Sequence, residues 1–216
     1  MCGRYALEAT GEAIKSRFNL KVGCVLKPRY NIAPKTWIPI ITAEKIQFSY
    51  WGFTPSWITV DDGGEAPSFI NARVESIDIK PSFRQAFKSN RCIIPASGYY
   101  EWKLINGKKQ PFFIYSPTEL IIGLAGVWGT WRQPNGEMIE TVAIITQPAF
   151  QNIAHIHERM PVLINESQQT CWLDNKNQGK AIISDILKNQ QNVSFHAVAT
   201  AMNNPEFDQR ACLLPL

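Results

Sequence analysis

Apolar and polar positions along this chain alternate over short stretches rich in β-branched and aromatic side chains, the pattern of half-buried strands. The segments that carry it are Thr36 to Thr42, Ile46 to Trp51, Arg91 to Pro95, Tyr99 to Ile105, Pro111 to Tyr115, Leu120 to Trp128 and Glu140 to Thr146. Asn106-Gly107 lies between two of these runs, and because both residue types tolerate positive φ the pair predicts a two-residue hairpin turn. Helical periodicity is confined to Glu8 to Phe18, Ser82 to Phe87 with Ser82 as the expected cap, a piece near Ser167 to Leu173, and Gly179 to Leu187. Asp61-Asp62-Gly63-Gly64 and Pro134-Asn135-Gly136 read as turns, and no repeat, low-complexity tract or linker interrupts the pattern. The expectation is one compact unit over residues 1–216, of α+β class, with largely antiparallel sheet at its centre.

Composition narrows this only mildly. The 216 residues are 45% hydrophobic and 19% charged, enough apolar mass for a core and no signature of disorder. A net charge of +4 permits a nucleic-acid partner without demanding one. The longest apolar run, Leu120 to Trp131, is too short for a membrane span and is broken by Gly123, Gly126 and Gly129, and no signal peptide opens the chain. A soluble cytoplasmic protein, monomeric by default and without a membrane partner, is the reading. Cys2, Cys24, Cys92, Cys171 and Cys212 are odd in number and lack a Cys-x-x-Cys pair, so neither a disulfide framework nor a zinc site is indicated.

Chemistry first enters at the second residue. If Met1 were removed, Cys2 would carry the terminal amine, whose pKa near ~7.7 to 8.0 leaves far more free base at neutral pH than a lysine at ~10.4. Such an amine attacks aldehydes, and the adjacent thiol can close onto the imine to give a five-membered ring, which a lysine cannot do. Taken alone, a cysteine at position 2 more often has no role at all.

Further polar clusters stand out. In Asn71-Ala72-Arg73-Val74-Glu75, an extended backbone puts Asn71 and Arg73 on one face, where an amide can orient an oxygen and a guanidinium can fork onto a phosphate. In Gly98-Tyr99-Tyr100-Glu101-Trp102, a strand puts Tyr99 and Glu101 on one face and Tyr100 and Trp102 on the other; partial desolvation of Glu101 would tune it as an acid or base. His155-Ile156-His157-Glu158-Arg159-Met160-Pro161 offers a proton-exchanging imidazole beside Arg159; a metal is not expected, since the only other histidine is His196 and no third ligand is marked. Pro28 to Pro34 and Trp51 to Trp57 are proline-bounded turns whose aromatics, if exposed, could stack on or wedge between bases.

Together, Met1-Cys2-Gly3-Arg4-Tyr5, Pro28-Arg29-Tyr30-Asn31-Ile32-Ala33-Pro34, Trp51-Gly52-Phe53, Pro55-Ser56-Trp57, Asn71 to Glu75, Arg91 to Ala96, Gly98 to Trp102 and His157 to Pro161 resemble the SRAP (SOS response-associated peptidase) family in content and order. The resemblance runs to about residue 164; beyond it, Ser194 to Asn204 is only loosely similar to the family's closing strand, with Ala201-Met202 in place of a more polar pair. It implies a barrel-like core and a protein, needing no cofactor, that recognises abasic sites in single-stranded DNA and forms a thiazolidine crosslink through Cys2. Carried over by position, Cys2 is the nucleophile, Asn71 orients the sugar or amine, Glu101 is the acid/base group and His157 assists near sugar and phosphate. Arg4, Arg73 and Arg159 are implied phosphate ligands, with Trp51, Trp57, Trp102 and the turn at Pro34 as stacking or wedging candidates. Removal of Met1, with the protein's own peptidase action as one route, and lyase activity through the imine are further implications. Two other classes stay open: an N-terminal-nucleophile hydrolase of glutaminase type, and a non-catalytic single-strand-binding module.

Overall fold

The computed structural model describes residues 2–61, 64–176, 179–190 and 192–216. Met1, the centre of the expected turn at Asp61 to Gly64, and positions 177, 178 and 191 lie outside the described residues. The chain begins with β1 (Tyr5–Leu7), α1 (Gly11–Arg17), β2 (Arg29–Ile32), β3 (Trp37–Ile41), β4 (Ile46–Trp51), β5 (Asn71–Arg73) and α2 (Arg84–Ser89). It continues through β6 (Arg91–Ala96), β7 (Gly98–Ile105), β8 (Lys108–Tyr115), β9 (Ile122–Arg132), β10 (Met138–Pro148), β11 (Arg159–Pro161) and β12 (Leu163–Ile164). Helices α3 (Glu166–Leu173) and α4 (Gly179–Lys188), strand β13 (Ser194–Ala197) and 3-10 turns at Thr200–Asn203 and Arg210–Leu213 complete it.

Every longer strand expected from periodicity forms, within a few residues of its anticipated ends. The β7–β8 hairpin turns at Asn106 and Gly107, whose φ values of 50° and 76° give the mirror-image turn that matches strand twist, with Ile105 opposite Lys108. Helix entry is less well anticipated. Thr10 caps α1 by accepting from the Ala13 amide, so Glu8 and Ala9 stay outside the helix. Ser82 does not cap α2: the N-cap position is Phe83, and the amides of Phe83 and Arg84 donate to the Lys80 carbonyl of the preceding turn, which does the work assigned to a hydroxyl.

The strands form two sheets. One runs β13-β8-β7-β1-β2. The other runs β11-β10-β4-β3-β6-β9-β12, with β5 paired to β10, and a further β9–β10 pairing closes β10, β4, β3, β6 and β9 into a ring. This is the barrel-like element, antiparallel except where β10 pairs in parallel with β4 and β5. Both sheets contribute to one apolar cluster, in which Tyr5, Tyr99 and Ile114 of the first meet Ile38, Trp51, Ile93 and Ile144 of the second. Because side chains alternate along a strand, Tyr100 and Ala6 face the opposite way and pack with Phe113, Val198, Met202 and Cys212 in a smaller cluster beneath the C-terminal segment.

Asn31, at 1% exposure, ties that segment down. Its amide nitrogen donates to the carbonyls of Met202, Asn204 and Phe207, while Asp208 accepts from the amides of Tyr30 and Asn31. Arg91 anchors the helical side in a comparable way. Fully buried, its guanidinium donates to the carbonyls of Phe87, Lys88, Trp172 and Asp174 and lies 5.5 Å from the Trp172 ring centroid. These carbonyls end α2 and α3, where orphaned acceptors and the negative ends of the helix dipoles converge, so one cation satisfies both ends. Arg91→Met is therefore expected to leave several carbonyls without donors and to cost roughly 3–5 kcal/mol; a urea-unfolding midpoint within error of wild type would refute that role.

Candidate active site

The strand β1 lies between β2 and β7, with Tyr5 opposite both Ile32 and Tyr99, and this register places Cys2 just ahead of it, between the sheets. Cys2 is fully buried, and burial pushes its thiol well above the ordinary range. Asn71, the first residue of β5, comes from the other sheet, and its amide nitrogen donates to the Cys2 carbonyl at 2.9 Å. The opposite atom of that amide, Oδ1, is buried and finds no protein donor among the described residues.

Glu101 points inward from β7 on the face of Tyr99, at 3% exposure. Removal from water lifts its carboxyl to about 7. His157, in the loop ahead of β11, brings Nε2 to 3.9 Å from the Glu101 carboxylate. Its Nδ1 lies 2.9 Å from the Arg159 amide nitrogen and 3.1 Å from the Arg159 carbonyl, contacts that set the ring with Nε2 toward Glu101. Burial lowers the His157 pKa, which favours the neutral imidazole. An acid near neutrality and a neutral imidazole thus sit together beside a residue reached from both sheets.

These groups open onto a cleft of about 570 Å³ lined by Gly3, Arg4, Glu101, Trp102, Lys109, His157 and Asn203. Trp102 lies on the outward face of β7, held by its indole N–H to Asn203 at 2.7 Å and overlaid by the Arg4 guanidinium 5.8 Å from its ring centroid. Arg4 is fixed in turn by Asn31 Oδ1 at 2.6 Å and the Met202 carbonyl. Arg73 is exposed on β5, and Pro34 sits half-buried at the start of the turn into β3.

Some expected residues lie elsewhere. Trp51 is fully buried, packed edge-on against Tyr5 with its indole N–H on the Ile70 carbonyl; it is a core residue and presents no face to a base. Arg159 is also buried, and its guanidinium is committed to the Glu75 carboxylate and the Thr146 carbonyl. This pairing, which holds Glu75 below the usual carboxylate range, makes Arg159 a brace for the His157 loop in place of a phosphate ligand. Trp57 is exposed but lines a different cavity, beside Phe53, Arg84 and Trp128. His155 packs against the Phe195 ring and His196 bonds to the Leu213 carbonyl, so neither joins His157. Sequence reasoning missed Lys109, on which no motif bears, and assigned no role to Asn31, Glu75 and Asn203, although all three lie inside stretches it quoted.

The SOS response associated peptidase (SRAP) family matches residues 1–205, extending past the stretch where the motifs are dense. The abasic site processing protein YoqW of Bacillus subtilis strain 168 is 32% identical over 216 residues, which covers 95% of this chain and 96% of that one. The abasic site processing protein HMCES of Gallus gallus is 28% identical, over 88% of this chain and 67% of its own length. A crystal structure of a protein from Bacteroides thetaiotaomicron superposes with a TM-score of 0.85 over the full length of both chains at 24% identity, a likeness of fold. With the family matched over nearly its whole length, the chain belongs to the SOS response associated peptidase (SRAP) family.

Proposed function

We propose that this protein recognises abasic sites in single-stranded DNA and, once Met1 has been removed, joins itself to them through Cys2 as a thiazolidine that shields the lesion. The observation that carries the reading is the convergence, beside one cleft, of Cys2 held by Asn71 with Glu101 and His157 3.9 Å apart. The names of the relatives, which describe abasic site processing, agree with it.

The chemistry balances without a cofactor. Opening the sugar ring exposes an aldehyde at C1′; the Cys2 amine adds to it, and loss of water leaves the imine. The S–H then adds across the C=N bond, so that sulfur bonds to C1′ and the thiol proton ends on nitrogen. Glu101, titrating near 7, is able both to give a proton to the departing oxygen and to take one back. Asn71 orients the reacting end, and the His157 ring steadies the carboxylate or the sugar beside it. Burial keeps the thiol protonated until the imine forms, which guards it against premature oxidation. Arg4 and Arg73 serve phosphates, and Trp102 offers a face to a neighbouring base. The imine is also the branch point for lyase chemistry, and removal of Met1 is a peptidase step at the same site. The protein acts on damaged DNA in the cytoplasm, as a monomer.

Intact mass spectrometry after incubation with a single-stranded oligonucleotide bearing one abasic site is expected to show loss of Met1 and a covalent adduct that survives denaturation, the adduct being absent in Cys2→Ala. A processed protein that hydrolyses glutamine and forms no adduct would instead mark the hydrolase class, and unchanged reversible binding without an adduct the binding module.

Glu101→Gln is expected to slow adduct formation by about 10²–10⁴-fold and to remove the inflection near pH 7 from the rate profile. The same residue sets a stability signature. Its folded pKa lies above the ordinary 4.5, so the folded chain binds more protons between the two values and this group's contribution to stability declines as pH rises through that window. Glu101→Gln should therefore raise Tm relative to wild type at pH 8, with the two converging toward pH 5; a lower Tm at pH 8 would rule out a carboxylate strained by burial.

A further inference from the structure

A cavity of about 340 Å³, separate from the cleft, lies where β3, β4 and β10 meet, within the roughly 300–1,000 Å³ typical of small-ligand sites. Its walls are aromatic. Trp37 and Tyr50, cross-strand partners on β3 and β4, meet edge to face at 5.9 Å, and Trp131 closes the far side. Trp131 is locked by its indole N–H on the Ile58 carbonyl, whereas Trp37 is 49% exposed, an aromatic face offered to solvent.

Lys35 stands at the rim on an unusual backbone. Its φ of 64° places a side-chain-bearing residue in the left-handed region, which persists only where the surroundings enforce it. Here they do: the Lys35 amide donates to the Trp51 carbonyl, the Trp51 amide to the Thr36 carbonyl, and the Thr36 hydroxyl to the Ala33 carbonyl. The turn that carries Pro34 is thus a rigid mount that presents an ammonium beside an aromatic hollow. Glu65, Ser68 and Gln133 add hydrogen-bonding groups around the opening.

Aromatic walls, polar groups at the edge and a cation on a backbone-fixed residue match a heteroaromatic base bearing a phosphate better than an apolar peptide. Tyr50 pairs with Thr141 and Asn71 with Ile144 of the same strand, so the cavity is displaced from Asn71 by about 10 Å along β10, at ~3.3 Å per residue. We propose that this cavity is a second nucleotide subsite, which takes one base of the bound single strand against Trp37, Tyr50 and Trp131 and places its phosphate on Lys35. The proposal rests on the DNA-binding reading above and adds to it a base outside the lesion's own cleft.

The test uses the full-length protein and single-stranded oligonucleotides, lesion-free and with one abasic site, in which 2-aminopurine is moved along the strand. Binding is expected to quench one probe position away from the lesion, with the quench lost in Trp37→Ala and kept in Trp37→Phe. On lesion-free strands Trp37→Ala should bind at least about fivefold more weakly. Lys35→Ala should reduce the log–log salt slope by about 0.7. If no probe position depends on Trp37, or if Lys35→Ala leaves the slope unchanged, the subsite is refuted. Quenching of the protein's tryptophan fluorescence by dAMP that is lost in Trp37→Phe, with no strand position affected, would overturn the assignment to the strand in favour of a free nucleotide. Because lesion-free binding is read without any crosslink, absence of the adduct refutes the covalent function and leaves this test intact.

Discussion

The structure depends on the pairing of one short strand. β1 inserts between β2 and β7, and its hydrogen bonds to both set where the second residue of the chain must stand. The terminal segment of a chain usually frays unless something ties it down, and here a three-residue strand does so from both edges. Alternation then sends Tyr5 into the main core and Arg4 toward Trp102, while Cys2 falls between the sheets within reach of Asn71. From the second sheet, β5 and β11 pair with β10 at successive registers and carry Asn71 and the His157 loop.

Buried charge is handled in two opposite ways. Arg91 and Arg159 are compensated by close partners, carbonyls in the first case and a carboxylate in the second, and both hold elements together. Glu101 has neighbours of its own, His157 among them, but burial outweighs them and raises its pKa to about 7. Full compensation fixes a charge in one state, whereas a pKa near neutrality allows both states to be used, the property that acid and base steps require. Asn31 links the two regimes: it holds the C-terminal segment and, through Arg4, steadies the strand on which Cys2 depends.

Much of this was legible from residues alone. Periodicity located β3, β4 and β6 to β10, because each is long enough for alternation to register, and Asn106-Gly107 marked its hairpin because the turn requires positive φ at both residues. β1, β2, β5, β11, β12 and β13 are too short to carry a period; all but β2 exist because longer neighbours pair with them, and β2 pairs in turn with β1. The Ser82 cap was displaced by a backbone turn at Lys80, a competition that composition does not reveal.

At the site, the residue types and their order along the chain determined the chemistry on offer: a thiol at the second residue, a carboxyl, an imidazole and an amide. Alternation along β7 was enough to put Glu101 with Tyr99 and Trp102 with Tyr100. Only the tertiary structure decided which of them meet. It buried Trp51 against Tyr5, gave Arg159 to Glu75, brought Lys109 and Asn203 to the cleft, and fixed Lys35 in a strained turn beside three aromatic rings. The physical reason is that local sequence sets the direction a side chain takes from its own strand, while burial, charge pairing and the pKa of Glu101 are properties of what the other sheet places opposite it.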